Sequence, residues 1–296
     1  MSIGGTSGRA PGAEGGGRVT VAGLHRMTRR GDRFACLTCY DATCARWLAR
    51  AGVHVLLVGD TAAEMVLGHA RTIDMPLEVL LALTAGVRRG AERAGAGSAV
   101  PLIMGDMPFM SYHLSEDAAV SNAARFMLEG RADVVKLEVD AAHAGLVRRL
   151  TRAGVPVCAH VGSRPQRAAL SGGYSAAGRT EAEAEAVVGA ARAMLDAGAV
   201  MLLVEAVPDG VAERVVGAAE TAGGVPVIGI GAGPSPRGQV LVMHDVLGLT
   251  DRAPAFAEPL AALGPLMEGA ARQWVQAVVL GNVKASPYTA KAPEAS

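Results

Sequence analysis

The chain has 296 residues, half of them apolar, and its 28 basic and 28 acidic side chains cancel. That length suits one large domain, and zero formal charge gives no long-range attraction to nucleic acid or an anionic membrane. No apolar run reaches the roughly 20 uninterrupted residues of a membrane helix, and residues 1–18, rich in Gly, Ser and Ala, lack the apolar core of a secretory signal. The expectation is a cytoplasmic protein with a disordered tail over 1–18, one domain over 19–281 closed by C-terminal helices, and a loose tail over 282–296.

From Arg33 on, short apolar runs alternate with helical stretches. Strands are predicted at 34–38, 54–60, 101–106, 133–138, 155–160, 200–205, 225–230 and 239–244. Continuous runs such as Val55-Leu56-Leu57-Val58 and Met201-Leu202-Leu203-Val204 are what parallel strands buried on both faces require. Helices are predicted at 41–51, at 115–129 behind a Ser115 cap with Glu116 and Asp117 in the first turn, and at 180–197 between a Thr180 cap and Gly198. Another is predicted at 211–222, with one or two closing helices within 254–281. The turns Ala51-Gly52-Val53, Ala153-Gly154-Val155 and Ala197-Gly198-Ala199 each lead from a helix into a strand, as repeated β/α units demand. Eight such units predict a single (β/α)8 TIM barrel. No Gly-x-Gly-x-x-Gly joins a first strand to its helix, which argues against a dinucleotide-binding sheet. Cys36, Cys39, Cys44 and Cys158 have no second CxxC or paired histidine beside them, so they read as reduced thiols rather than a zinc site.

The chemistry lies in what ends the strands. Strand two ends in Asp60, strand three in Asp106, strand four in Lys136-Leu137-Glu138, strand five in His160 and strand six in Glu205. In a barrel these positions ring the C-terminal mouth, where active sites are built. One charged residue after an apolar run is ordinary loop chemistry; five successive strands doing so is not. Carboxylates converging with few basic neighbours need a cation, and hard oxygen donors suit Mg²⁺ better than zinc. A metal held open there can chelate a small 2-oxo acid, polarise its ketone and stabilise an enolate. Lys136 faces the same way as Glu138 and can neutralise the substrate carboxylate, or simply pair with a neighbouring acid. Glu205 is a candidate general acid/base if its apolar neighbours raise its pKa; the alternative is that it orients another group.

In sequence order, Val58-Gly59-Asp60, Gly68-His69, Gly105-Asp106-Met107-Pro108-Phe109 and Val135-Lys136-Leu137-Glu138 resemble the ketopantoate hydroxymethyltransferase (3-methyl-2-oxobutanoate hydroxymethyltransferase) family. So do 156–162, Gly172-Gly173-Tyr174 with Gly178-Arg179, 203–208, 226–233 and Val242-Met243-His244-Asp245; the likeness spans about 33–250. It implies a (β/α)8 barrel, assembled as a homodecamer, that transfers a hydroxymethyl group from 5,10-methylenetetrahydrofolate to 2-oxoisovalerate in pantothenate synthesis. It implies Mg²⁺ ligation by Asp60 and Asp106 with Glu138 completing the site, and substrate binding by Asp60, Thr61, Asp106 and Lys136. Glu205 resembles the proton-accepting carboxylate, with His160 as its hydrogen-bonding neighbour.

The chain departs from the family pattern near the substrate. Thr61-Ala62-Ala63 stands for the usual Ser-Leu-Gly, Ala70 for an acidic residue, Ile73-Asp74 for Leu-Pro and Leu83 for a histidine. Ser175-Ala176-Ala177-Gly178 replaces Lys-x-Gln-Gly, and Arg237-Gly238-Gln239 replaces Asp-Gly-Gln. Lost polar contacts change which ligand is accepted by large factors. Three functions are therefore carried forward: ketopantoate synthesis, the same metal-enolate chemistry on another 2-oxo acid, and a non-catalytic barrel subunit. A decayed barrel would have no reason to keep Asp60, Asp106, Lys136, Glu138 and Glu205 together.

Overall fold

In the computed structural model the described residues are 17–288. Eight parallel strands close in chain order: β1 (Phe34–Thr38), β2 (Val55–Val58), β3 (Leu102–Asp106), β4 (Val134–Glu138), β5 (Val157–Gly162), β6 (Met201–Glu205), β7 (Val227–Ile230) and β8 (Gly238–Leu241). β8 pairs with both β7 and β1, which completes the predicted TIM barrel. Around and beneath it run α1 (Val21–Arg30), α2 (Ala42–Arg50), α3 (Leu77–Glu92), α4 (Glu116–Leu128), α5 (Ala144–Arg152), α6 (Glu181–Asp196) and α7 (Asp209–Thr221).

Local chemistry sets these boundaries. Ser115 accepts from Ala118 N at 3.1 Å at the start of α4, and Thr180 with Glu183 forms a reciprocal capping box at the start of α6. β2 stops at Val58, two residues short of its predicted end, because Gly59-Asp60 already turns into the short helix Ala62–Met65. β8 ends at Leu241, where the chain enters the helix Met243–Val246. The 231–237 link between β7 and β8 carries no helix, unlike the other predicted units. α1 precedes the first predicted element; its signals are a Thr20 cap and a left-handed Gly31 at its end.

Side chains alternate along each strand, so two apolar layers form. Phe34, Cys36, Val55, Leu57, Leu102, Met104, Val134, Cys158, Met201 and Leu203 make one cluster with Leu24 and Met27 of α1. This cluster fills the lumen, with α1 as its floor. The alternate residues, among them Leu56, Ile103, Val135, Leu137, Val157 and Leu202, join helix side chains in the larger outer layer. A packed lumen leaves only the rim for chemistry.

The chain divides into two compact units, the first reaching Met243 and the second beginning at His244. The second holds α8 (Leu263–Val279), none of whose residues is buried. The tail expected over 1–18 lies outside the described residues except for its last two positions. Arg18 bridges to Val100 and pairs with Asp133 at 2.7 Å, so that end is anchored. Residues 282–288 have no helix or strand, and 289–296 lie outside the described residues.

Candidate active site

The lumen-facing series of several strands changes character at its C-terminal end. On β3 the series Leu102, Met104 continues to Asp106; on β4 Val134 continues to Lys136 and Glu138; on β5 Cys158 continues to His160; on β6 Met201 and Leu203 continue to Glu205. Register carries the pattern across the sheet: Asp106 lies opposite Lys136, Glu138 opposite His160, and Gly162 opposite Glu205. Asp60 joins from the turn after β2, donating its backbone N–H to Asp106 Oδ2 at 3.1 Å. All the predicted site residues therefore meet at one rim. Thr61 follows Asp60, and its side chain reaches the hydroxyl of buried Tyr40, whose pKa burial pushes above its ordinary value against the hydrogen bonds of Thr38 and Thr61.

Asp60, Asp106, Lys136, Glu138 and His160 are buried, while the Glu205 side chain keeps 23 % of its exposure and marks the open edge. Lys136 Nζ is 2.7 Å from Asp106 Oδ1, so the lysine does pair with a neighbouring acid. Burial disfavours its charge, but Asp106, Asp60 and Glu138 outweigh that and hold its pKa above the ordinary value. Burial, then the Asp106 charge, push Asp60 up to about 7. Glu138 is also driven well above the carboxylate range by burial, with Lys136 pulling it back and Asp60 and Asp106 adding to the rise. His160 bridges the group: Nδ1 is 3.8 Å from Glu138 Oε1 and Nε2 3.3 Å from Glu205 Oε2. Both ring nitrogens are close but not aligned for full hydrogen bonds. Burial lowers the His160 pKa although Glu205 pulls upward, which favours a neutral imidazole able to pass a proton.

Three residues absent from the sequence reading complete the site. Gln166, on the 3-10 turn Pro165–Arg167, donates Nε2 to Asp60 Oδ2 at 3.0 Å and its backbone N–H to Glu138 Oε2 at 3.0 Å. The Tyr112 hydroxyl lies between two acceptors, Gln166 Oε1 at 2.8 Å and the Glu138 backbone carbonyl at 3.1 Å, and the nearer takes its proton. Tyr40 stands two residues past the end of β1, a strand-end position like those of the acids, and that placement was its available signal. Gln166 and Tyr112 lie in rim loops and are neutral, so a search for charged strand ends passes over both.

Whether a divalent cation fits this donor set depends on the oxygens it leaves free. Among the described residues no group of three or more His, Cys, Asp or Glu stands ready as a metal cage. Glu138 Oε1 and Asp106 Oδ1 are nonetheless buried without an aligned hydrogen bond, the latter facing only the Lys136 charge. Gln166 occupies one oxygen of Asp60 and leaves the other for a further partner. Buried carboxylate oxygens of this kind fit Mg²⁺, which binds through one or two carboxylates and takes the rest of its shell from water and substrate. Beside the ring, a cleft of about 300 Å³ is lined by Ala70, Thr72, Ile73, Pro165, Ala168 and Tyr174, among others.

Comparison with known proteins places this geometry. The chain matches the sequence model of the ketopantoate hydroxymethyltransferase family over residues 18–283. It is 41 % identical over 267 residues to 3-methyl-2-oxobutanoate hydroxymethyltransferase of Halorhodospira halophila, covering 90 % of this chain and 93 % of that one. It is 43 % identical over 264 residues to the protein of the same name from Alkalilimnicola ehrlichii, covering 89 % and 91 %. Similar solved structures include a 2,3-dimethylmalate lyase of the PEP mutase/isocitrate lyase superfamily, at TM-score 0.56, 17 % identity and 90 % coverage of both chains. A phosphonopyruvate hydrolase complex with oxalate and Mg²⁺ matches at TM-score 0.56 and 12 % identity, covering 88 % of both chains. At such identities these structures speak for the fold alone. A family match over almost the whole chain, with relatives above 40 % identity, settles the kinship: the chain belongs to the ketopantoate hydroxymethyltransferase family and is a transferase.

Proposed function

We propose that this chain transfers a hydroxymethyl group from 5,10-methylenetetrahydrofolate to C3 of 2-oxoisovalerate, giving ketopantoate, with Mg²⁺ as its metal. The observation that supports this reading best is the arrangement at the rim. Buried Glu138, grouped with Asp60 and Asp106, stands 3.8 Å from His160 Nδ1, and the more open Glu205 stands 3.3 Å from its Nε2. Such a site separates holding an acceptor from taking its proton. Asp60 and Asp106, with Glu138, would hold the ion, which when bound supplies Lewis-acid polarisation of the acceptor ketone. Lys136, buried and cationic, faces the space where an acceptor carboxylate or developing enolate needs compensation. Glu205 removes the C3 proton, and His160 links its oxygen to the acid group so that the proton has a place to rest. Water frees the one-carbon unit from both folate nitrogens, which keep water's two protons, and C3 bonds to the carbonyl carbon so released while its oxygen takes the proton back from Glu205 and becomes the hydroxyl.

A second reading, the same chemistry on another 2-oxo acid, is supported by the cleft. Ala70 and Ile73, both departures from the family pattern, line it together with Pro165 and Ala168. Proton NMR in D₂O on C3–H exchange, with 2-oxoisovalerate beside a panel of 2-oxo acids, tests both readings. Rapid exchange of 2-oxoisovalerate that a chelator abolishes is expected. Exchange confined to a different acid would select the second reading, and exchange with none would remove the enolate mechanism.

The family's homodecamer is proposed for this chain too, and α8 supports an assembled state. It exposes Leu266, Met267, Trp274, Val275 and Val278, a surface that water alone covers poorly. Light scattering behind size exclusion gives the mass directly. A cytoplasmic location is proposed as well, in keeping with four free thiols.

A further inference from the structure

Gln166 is 3 % exposed and uses every polar atom of its amide. Nε2 donates to Asp60 Oδ2 at 3.0 Å and to the Met107 carbonyl at 3.1 Å, while Oε1 accepts from Tyr112 at 2.8 Å. The amide cannot flip, because Oε1 would then face two acceptors, the Asp60 carboxylate and the Met107 carbonyl. The same residue donates its backbone N–H to Glu138 Oε2 at 3.0 Å. One residue therefore grips one oxygen on each of two carboxylates, one from the turn after β2 and one from the end of β4. What it leaves is Glu138 Oε1, buried with no aligned partner among the described residues, and the second oxygen of Asp60. Two like charges in a buried site would otherwise turn apart; the donors on Gln166 hold them facing a common space.

We propose that Gln166 is the positioning residue of the cation site, fixing which oxygens of Asp60 and Glu138 face the ion, with Tyr112 locking its amide. The inference rests on the divalent-cation reading above. Groups that orient metal-binding carboxylates contribute about 10–100-fold in affinity when removed. Gln166→Met keeps the volume and the backbone N–H but loses both side-chain donors, so it frees Asp60 while leaving Glu138 tethered. Tyr112→Phe leaves the amide in place but unlocked.

The test is Mg²⁺ titration by calorimetry on chelator-stripped full-length protein, with no substrate present. Circular dichroism and thermal unfolding on the same samples report whether each variant is folded. Gln166→Met is expected to weaken Mg²⁺ binding about 10–100-fold. Tyr112→Phe is expected to weaken it less, and to add little in the Gln166→Met background, where its 3.1 Å contact with the Glu138 backbone carbonyl is what it still loses. Wild-type binding with Gln166→Met within twofold of it overturns the inference and leaves the cation reading standing. A full, independent Tyr112→Phe effect in the double variant also overturns it. Absence of Mg²⁺ binding by the wild type overturns the cation reading and this inference with it. Should Gln166→Met not fold, Tyr112→Phe alone decides: unchanged affinity refutes the lock, and a weakened one supports it.

Discussion

Asp140 sits just beyond β4, where Arg164 Nη1 approaches it at 2.5 Å, Arg167 Nη1 at 3.1 Å and His143 Nδ1 at 2.8 Å. The two arginines flank Gln166, so this carboxylate steadies the turn that reaches into the acid ring. Burial alone would raise the Asp140 pKa, but Arg164 and His143 outweigh it and hold the group at about 2. The folded pKa lies below the unfolded one, so between them the unfolded chain binds the extra proton. The pair thus contributes stability that is complete above about pH 4 and lost as pH falls through about 2. Asp140→Asn should remove roughly 1 kcal/mol at neutral pH, discounted for partial exposure, and flatten stability across that acid window. Urea unfolding at a series of pH values measures it; an unchanged acid limb would show that the pair contributes nothing. Within the ring, Asp60→Ala or Asp106→Ala should abolish metal-dependent turnover with the fold retained, because both stand at the rim and not in the packed lumen. Wild-type turnover in either variant would refute the metal assignment. Glu205→Gln should suppress C–C bond formation while Mg²⁺ affinity, read by titration, changes little.

At the scale of elements, the two-residue period of the strands explains how much of the site was legible. Asp106, Lys136, Glu138, His160 and Glu205 all share parity with apolar lumen residues below them, so their placement follows once the strands are located. Asp60 was found as a strand end although it lies in a turn, because that turn begins at the same rim. Gln166 was not legible, since no period governs a loop and its role exists only once β5 delivers the 3-10 turn over Asp60. The packing of α2 on α3 was equally hidden. A Cβ on Gly90 of α3 would lie 2.1 Å from the Ala42 carbonyl oxygen at the start of α2, so the two backbones meet there. An unlucky clash with a flexible side chain can relax; a clash with backbone cannot. Gly90→Ala should therefore cost about 1–3 kcal/mol of stability despite its better helix propensity. Chemical denaturation would show it, and a stabilised variant would mean that the helices part without cost.

For the whole molecule, the rim is built against stability. Below it the lumen is apolar and packed, as folding favours; at the top, three carboxylates share one buried layer with a single lysine. Lys136 is already committed to Asp106 at 2.7 Å, so Glu138 is the acid least compensated in the absence of a cation, and burial drives its pKa well up. Glu138→Gln would keep the shape and the bond from Gln166 N–H while removing a buried group that ionises only at a cost. In chelator-treated protein it should raise stability by roughly 1–2 kcal/mol, within the range that relieving a functional strain commonly yields. The ion reverses the order: at about 100 times its dissociation constant it should add roughly 2.7 kcal/mol to the wild type and much less to the variant. Calorimetric melting with and without Mg²⁺ separates the two effects. A variant less stable than wild type without metal would mean that Lys136 compensates Glu138 in full as well as Asp106. The acid ring would then be a balanced ion network and not a stability cost that the cation relieves.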